Sequence, residues 1–412
     1  MKPLRVVHLV YYGYEPTVID SQVVAPARRL QAEGVDVELV FLEDPLPWLL
    51  GRWRPRKAEL SAAGLRAHFL PRIPRNFLGL NTRRLSGLFQ RFLSDQSPLV
   101  VHARGFQGAD ALLPFKAAHP GLKLICDARG IEWAEYELDI RVRRGRSLNA
   151  VEAGWKRALE GAEKRSVSAS DLVLCVSRAM IPFLKGRDGG RNFDYVPCAV
   201  DVDAFSKGLD RRDETRRELN VGNALVLVYS GSMSAWQVPE ASARIAARFL
   251  SMVPDAFFLI LSPTPGTLAE LAVRAGIPRE RLRAIRAAHA DVPRYLAAAD
   301  LALLLREENV VNKYACPTKF AEYLACGLHV ISTPAVEEVA STIRETGCGT
   351  IMASLDDAGE IDRALKSALV AAGGPAVRMR ASAAVARERY DWARHLATLK
   401  KWYFQLANFH PT

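Results

Sequence analysis

Short apolar runs, most of them rich in β-branched residues, alternate along the chain with longer stretches in which apolar positions recur at helical spacing. The runs at residues 6–10, 35–41, 99–103, 122–127 and 172–176 predict strands in the first half, and those at 226–230, 257–261, 301–305 and 330–333 predict strands in the second. Continuous apolar character, as opposed to strict alternation, marks strands covered on both faces, and strands separated by helices pair in parallel. The pattern therefore predicts an α/β protein with two doubly wound parallel sheets, each offering the carboxyl ends of its strands to ligands. The break is expected near residues 196–213, where turn formers and charges replace the periodic pattern. That gives a first domain over 1–196 and a second over 197–385. A last helix is predicted over residues 377–406.

The stretch Cys316 to Pro334, CPTKFAEYLACGLHVISTP, carries the most local information. Pro317 suits the first helical position, where its missing N–H is no loss, and Gly327 suits the left-handed residue that ends a helix. Within a helix over 317–326, Phe320, Tyr323 and Leu324 form a buried stripe, while Thr318, Lys319 and Glu322 lie toward another face. Free N–H groups at the helix start and a nearby lysine suit phosphate, and a carboxylate one turn further in suits sugar hydroxyls. The same Lys319–Glu322 spacing also fits an ordinary exposed ion pair.

The helix ending at Cys326-Gly327 and followed at once by His329-Val330-Ile331-Ser332-Thr333 resembles the donor-binding segment of GT-B glycosyltransferases of the retaining family GT4, a group that includes bacterial polysaccharide and lipid-sugar transferases. Three further stretches are similar to that family: Asp171 to Ser177 with Met180; Val196-Pro197 with Val200, Asp201, Asp203 and Phe205; and Val228 to Ser232 with Trp236 and Gln237. With Asp291 to Leu296 and Asp300, the resemblance spans most of residues 170–335. It implies two Rossmann-like domains facing across a cleft, the second holding a UDP- or GDP-linked sugar and the first a saccharide or lipid-linked acceptor. It also implies that the last helix, from about residue 386 to 412, crosses back to the first domain. The donor would meet Ser230, Gly231, Ser232, His289, Arg306, Pro317, Thr318, Lys319 and Glu322, with Gly13 approaching from the first domain. No resident cofactor or metal is implied.

The chain departs from the family at several of these positions. Tyr314 stands where most members carry the first of two spaced glutamates; Glu307 and Glu308 in the preceding loop either substitute for it or are simply solvated. Ser232 and Gln237 replace the usual arginine and lysine after the glycine loop, and Cys198 and Ala199 replace an Asn and a Gly. Arg306 and Lys319 are the cations left to stabilise charge developing on a leaving diphosphate.

In the first half, Val101 to Gly105, Asp127 to Gly130 and Glu132 lie just past strand ends. Arg129 or Glu132 then orients the acceptor hydroxyl or the donor phosphate, or Asp127 and Arg129 merely pair with each other. Ser21 and Gln22 are expected to open the helix after Gly13. Asp201-Val202-Asp203 has the D-x-D form of a metal-binding pair, but its place within the interdomain match favours a structural role. His289 either borders the nucleotide base or is a polar surface residue. No G-x-G-x-x-G follows the first strand, which argues against a dinucleotide dehydrogenase.

The 412 residues, 49% of them hydrophobic, suffice for two cores. Six cysteines without a C-x-x-C pair read as reduced thiols of a cytoplasmic protein, and the N-terminus as a first strand and not a signal peptide. The net charge of +11 is uneven: between Gly51 and Phe92 ten Lys or Arg face the single acid Glu59. Residues 77–93 interleave Phe77, Leu78, Leu80, Leu85, Leu88, Phe89 and Phe92 with arginines, as an amphipathic surface helix would. This face either meets anionic lipid on the inner side of the plasma membrane or is a solvated face over a packed helix. No nucleic-acid module is present. A sugar-nucleotide epimerase, and a binding protein with a decayed transferase site, remain the competing readings.

Overall fold

The computed structural model describes residues 4–14, 16–73, 80–93, 99–190, 192–234, 236–371 and 375–407. The chain forms two compact units: Met1–Glu137 with Ser147–Pro197 and Ala393–Thr412, and Leu138–Arg146 with Cys198–Trp392.

The first unit holds β1 (Arg5–Val10), β2 (Asp36–Glu43), β3 (Arg66–Pro71), β4 (Leu99–Arg104), β5 (Lys123–Ala128), β6 (Leu172–Cys175) and β7 (Phe193–Tyr195). They pair in parallel in the order β3-β2-β1-β4-β5-β6-β7. The second holds β8 (Val226–Ser230), β9 (Phe257–Leu261), β10 (Leu282–Ile285), β11 (Leu301–Leu304), β12 (His329–Ser332) and β13 (Gly349–Ile351), also parallel, in the order β10-β9-β8-β11-β12-β13. In each sheet the strand order reverses once, between β1 and β4 and between β8 and β11. A crevice opens there at the carboxyl ends of the strands, because the flanking helices depart to opposite faces.

All nine expected strands form. The four that the apolar pattern missed, β3, β7, β10 and β13, are the outermost strands of the two sheets. Central strands are almost wholly buried, whereas β7, β10 and β13 are only partly buried throughout, so their sequences lack the continuous apolar run.

Two expectations need correction. The single helix expected over 377–406 is two helices, Pro375–Arg389 and Trp392–Leu406. The chain breaks because Tyr390 O and Trp392 N bond to Val200 N and Val200 O, at 2.8 and 3.0 Å, so neither atom continues the helical ladder. The helix expected over 77–93 is observed as Leu80–Leu93, and its apolar face is in the core, with Leu85 and Phe89 fully buried and Phe92 nearly so. Burial of this stripe makes it a packed helix, with Arg83, Arg84 and Arg91 left exposed on its outer face; Phe77, Leu78 and Arg75 lie outside the described residues.

Tyr403, on the last helix, fastens that helix to the first sheet. Its buried hydroxyl meets His102 Nδ1 on β4 at 2.7 Å and His8 Nε2 on β1 at 3.1 Å. Burial, followed by the charge of His102, lowers the His8 pKa well below its usual value. Tyr403→Phe leaves buried imidazole nitrogens without this partner, and is expected to destabilise the protein by about 1–3 kcal/mol in urea unfolding. Because His8 resists protonation in the folded state only, stability is also expected to fall as pH drops below about 6.5.

Candidate functional site

In the second unit the helix over Thr318–Ala325 starts one residue later than expected, with Pro317 as the extended residue before it. Its end is as predicted: Gly327 is left-handed, at φ +75°, and Leu328 N and Gly327 N bond back to Tyr323 O and Leu324 O at 3.0 and 2.9 Å. Phe320, Tyr323 and Leu324 are buried and pack the helix down. The hydroxyl of Tyr323 accepts the Ser230 N–H at 2.8 Å, which fixes the helix to the end of β8.

Register then brings several of the residues expected to meet a donor to one edge. Tyr229 pairs with Leu303, and Leu304 with Ser332, so Ser230, Arg306 and Thr333 all lie at the carboxyl ends of the adjacent strands β8, β11 and β12. Arg306 N donates to Thr333 Oγ1 at 3.1 Å, and Thr333 Oγ1 donates to Arg306 O at 2.7 Å. The Arg306 side chain is buried, and its Nη1 donates to Leu305 O at 2.8 Å. Burial pushes this guanidinium down from its usual value, and the neighbours that oppose the shift are the phenols Tyr229 and Tyr323. No carboxylate pairs with Arg306 among the described residues. A buried cation without a counter-ion is costly unless an anion completes it.

Beside it, no side chain caps the helix start at Pro317, so the Thr318 and Lys319 amides are orphan donors. Lys319 Nζ lies 2.8 Å from Glu322 Oε2. This is not the exposed pair considered above, because the Glu322 side chain is only 5% exposed against 33% for Lys319. Gln237 closes the loop after β8: its Oε1 accepts from Tyr229 Oη at 2.8 Å and from Ser232 N at 3.1 Å. A Cβ on Gly231 would stand 2.1 Å from that oxygen, so a larger residue there would displace the Gln237 side chain. Gln237 therefore shapes the loop instead of supplying charge. His289, in the short turn His289–Asp291, leaves its buried Nε2 without a hydrogen-bond partner. Glu307 and Glu308 are exposed, and Tyr314 is partly buried with Lys313 Nζ 5.7 Å from its ring centroid.

In the first unit, Arg129 Nη2 donates to Gln22 Oε1 at 2.8 Å, and Nη1 lies 3.5 Å from Asp127 Oδ1. The pairing weighed from sequence is thus present. Burial raises the Asp127 pKa, but Arg129, His102 and Arg104 outweigh it and hold the carboxyl well below the usual range. Ser21 and Gln22 lie within a wide turn, Asp20–Val24, inside a helical run and not at its opening. Glu132 takes hydrogen bonds from Tyr12 Oη and Phe106 N, both at 2.6 Å, and a longer one from Gln107 at 3.2 Å. Gly13 is left-handed at φ +80°, and a Cβ there would meet Glu43 Oε2 at 2.9 Å.

Sequence reasoning missed a cavity of about 370 Å³ in this unit, walled by Tyr11, Arg72, Gln107, Asp110, Tyr136, Trp155 and Arg165. Arg165 grips Asp110 through two bonds of 2.7 and 2.9 Å. Arg72, on another wall, has a buried Nε without a hydrogen-bond partner. Aromatic faces with paired polar groups suit a sugar ring. Only Tyr11 lies next to a predicted strand end; the helical members come from three separate helices, which no local pattern joins.

The D-x-D motif discounted from sequence is structural. Asp201 Oδ1 caps its helix by accepting Ala204 N at 3.0 Å, and Asp203 pairs with Arg387 at 2.8 Å. Among the described residues, no group of three His, Cys, Asp or Glu side chains is placed to hold a metal ion.

Residues 20–199 match the family model of the glycosyl transferase 4-like domain. No curated protein matches the chain in sequence. Solved structures match over nearly its whole length at low identity. A glycosyltransferase from Rickettsia africae is 12% identical, with 98% of this chain and 99% of that one covered at a TM-score of 0.70. Sucrose-phosphate synthase from Thermosynechococcus elongatus is 13% identical, with 98% of each chain covered, also at 0.70. HepE from Anabaena, in complex with UDP-glucose, is 14% identical, with 96% and 99% covered at 0.67. Two parallel sheets flanked by helices, matched over nearly the whole length, show a GT-B fold. Over residues 20–199 the chain resembles a glycosyl transferase 4-like domain, and over its whole length it shares the fold of these solved structures.

Glu135, one turn beyond Glu132, is raised to about 7 by burial and by the Glu132 charge. A carboxyl that stays protonated in the folded state loses stability as pH rises from its unfolded value, about 4.3, toward 7. Glu135→Gln removes that dependence. Urea unfolding is expected to show the variant gaining about 1–2 kcal/mol on the parent between pH 5 and 7.

Proposed function

We propose that the chain transfers a sugar from a UDP- or GDP-linked donor to a hydroxyl of a saccharide or lipid-linked acceptor, with retention at the anomeric carbon, in the synthesis of a cell-surface polysaccharide or glycolipid. The observation that carries this reading is the buried Arg306 guanidinium, which lacks a carboxylate partner among the described residues and stands at the strand edge that also receives the uncapped start of Thr318–Ala325. The structure of HepE with UDP-glucose supports the donor class.

In this reading the diphosphate lies against Arg306 and the Thr318 and Lys319 amides, with the glycine loop Ser230–Ser232 beneath it. When the bond from the anomeric carbon to the diphosphate breaks, its electron pair goes to the phosphate oxygen. Fixed donors aimed at that oxygen stabilise the growing charge more than they stabilise the ground state. Arg306 and Lys319 take this task without a metal. The buried Glu322 carboxylate accepts from sugar hydroxyls while Lys319 holds it in place. His289 borders the base, where its orphan Nε2 gains a partner. In the first unit the acceptor ring occupies the cavity at Trp155 and Tyr136, and Glu132 and Arg129 hold the loops around its hydroxyl. No covalent enzyme intermediate is assigned.

One observation favours a second reading. Tyr314 replaces a carboxylate, and the loop carboxylates Glu307 and Glu308 are solvated, as in a site that binds donor without turning it over.

Release of UDP from UDP-sugar, measured with and without saccharide acceptors, separates the two. Transfer predicts release that depends on acceptor and a drop of roughly 100-fold in kcat for Arg306→Ala or Lys319→Ala, with folding intact. Trp155→Ala is expected to raise the acceptor KM about tenfold with donor binding unchanged. Donor binding without acceptor-dependent release supports the non-catalytic reading, and variants within a few-fold of the parent overturn the assigned roles.

A further inference from the structure

Ten large apolar side chains stand out as exposed among the described residues, and three of them fall within one turn of the chain. Leu46, Leu49 and Leu50 are 66%, 74% and 59% exposed, in and just after the short helix Pro45–Leu49. No other stretch of the described residues brings two such side chains within five positions. Their spacing, i, i+3 and i+4, places them on one face.

Hydrogen bonds and a ring stack anchor the turn in this pose. Trp48 Nε1 donates to Phe69 O at 3.0 Å, Trp53 Nε1 donates to Trp48 O at 3.2 Å, and the Trp53 ring stacks on Phe69 with centroids 5.8 Å apart. The tryptophans turn inward and the leucines are left outside. Immediately after them come the exposed Arg52, Arg54 and Lys57. The nearby acids are already engaged, Asp44 with Arg72 and Glu59 with Arg56, so these three cations have no carboxylate partner among the described residues.

We propose that this turn docks on an anionic lipid bilayer, the three leucines entering the headgroup–acyl boundary while Arg52, Arg54 and Lys57 meet lipid phosphates. An apolar knob ringed by unneutralised cations fits a surface that is negative outside and oily within. The surface is distinct from the helix Leu80–Leu93, whose apolar face is buried, and the proposal does not depend on the transferase reading.

The six native cysteines are all buried, so Leu49→Cys accepts a single environment-sensitive fluorophore. The labelled full chain would be mixed with phosphatidylcholine vesicles, with and without about a third phosphatidylglycerol, at physiological salt. A blue shift on the anionic vesicles alone is expected. In flotation, a Leu46→Ser, Leu49→Ser, Leu50→Ser variant is expected to bind at least roughly tenfold more weakly while keeping the parent Tm. Binding that leaves the fluorophore in water and is unchanged in the triple variant would mean electrostatic adhesion only, and would overturn the proposal. Absence of binding to anionic vesicles would overturn it as well.

Discussion

The hydroxyl of Tyr323 holds the candidate donor site together. It reaches from the inner face of a two-turn helix to the Ser230 amide at 2.8 Å, inside the core of the second unit. Burial raises its pKa far above the usual phenol value, so it remains a neutral, uncharged linker. Without it the buried Ser230 N–H would lose its partner, and the helix would be held only by the packing of Phe320 and Leu324. With it, the Thr318 and Lys319 amides, the Lys319–Glu322 pair and the Ser230–Ser232 loop share the edge at which β8 and β11 diverge.

Against that frame Arg306 is an energetic anomaly of the kind found at binding sites. The other buried arginine of the unit among the described residues is satisfied: Arg216 bonds to Asp300 and to the carbonyls of Gly222, Ala224 and Ala298, and the half-buried Arg212 joins the same aspartate at 2.7 Å. Those contacts tie the starts of β8 and β11 together through Asp300, which also accepts Val226 N at 2.9 Å. Arg306 lies at the opposite ends of these strands and meets phenols in place of carboxylates. One end of the sheet is neutralised internally, and the other keeps a positive charge at the switch point. The first unit does the reverse at its own strand ends, where Asp127 and Arg129 pair and Glu132 is wrapped in hydrogen bonds.

Much of this was legible before the fold was known. Central strands carry their burial in their composition, and the helix stop at Gly327 follows from one residue that tolerates positive φ. Edge strands such as β10 were not legible, since half-exposed residues serve two environments and lose any single pattern. The break at Tyr390 was also hidden, because it depends on backbone bonds to Val200, remote in sequence. Lys319 and Glu322 could be placed on a helix face, but the burial of Glu322 comes from packing that no local spacing encodes. The cavity at Trp155 shows the same limit, being assembled by three helices and two strand ends. The basic stretch after Gly51 was visible as charge, and only the structure separates its exposed leucines from the apolar stripe buried beneath.

The central claim is that the second unit holds a nucleoside diphosphate between Arg306 and the start of Thr318–Ala325. The most direct test is a crystal structure of the protein soaked with UDP. The account predicts a diphosphate within hydrogen-bond reach of the Arg306 guanidinium and of the Thr318 and Lys319 amides. A diphosphate bound elsewhere, with Arg306 still facing only its phenols, would contradict it.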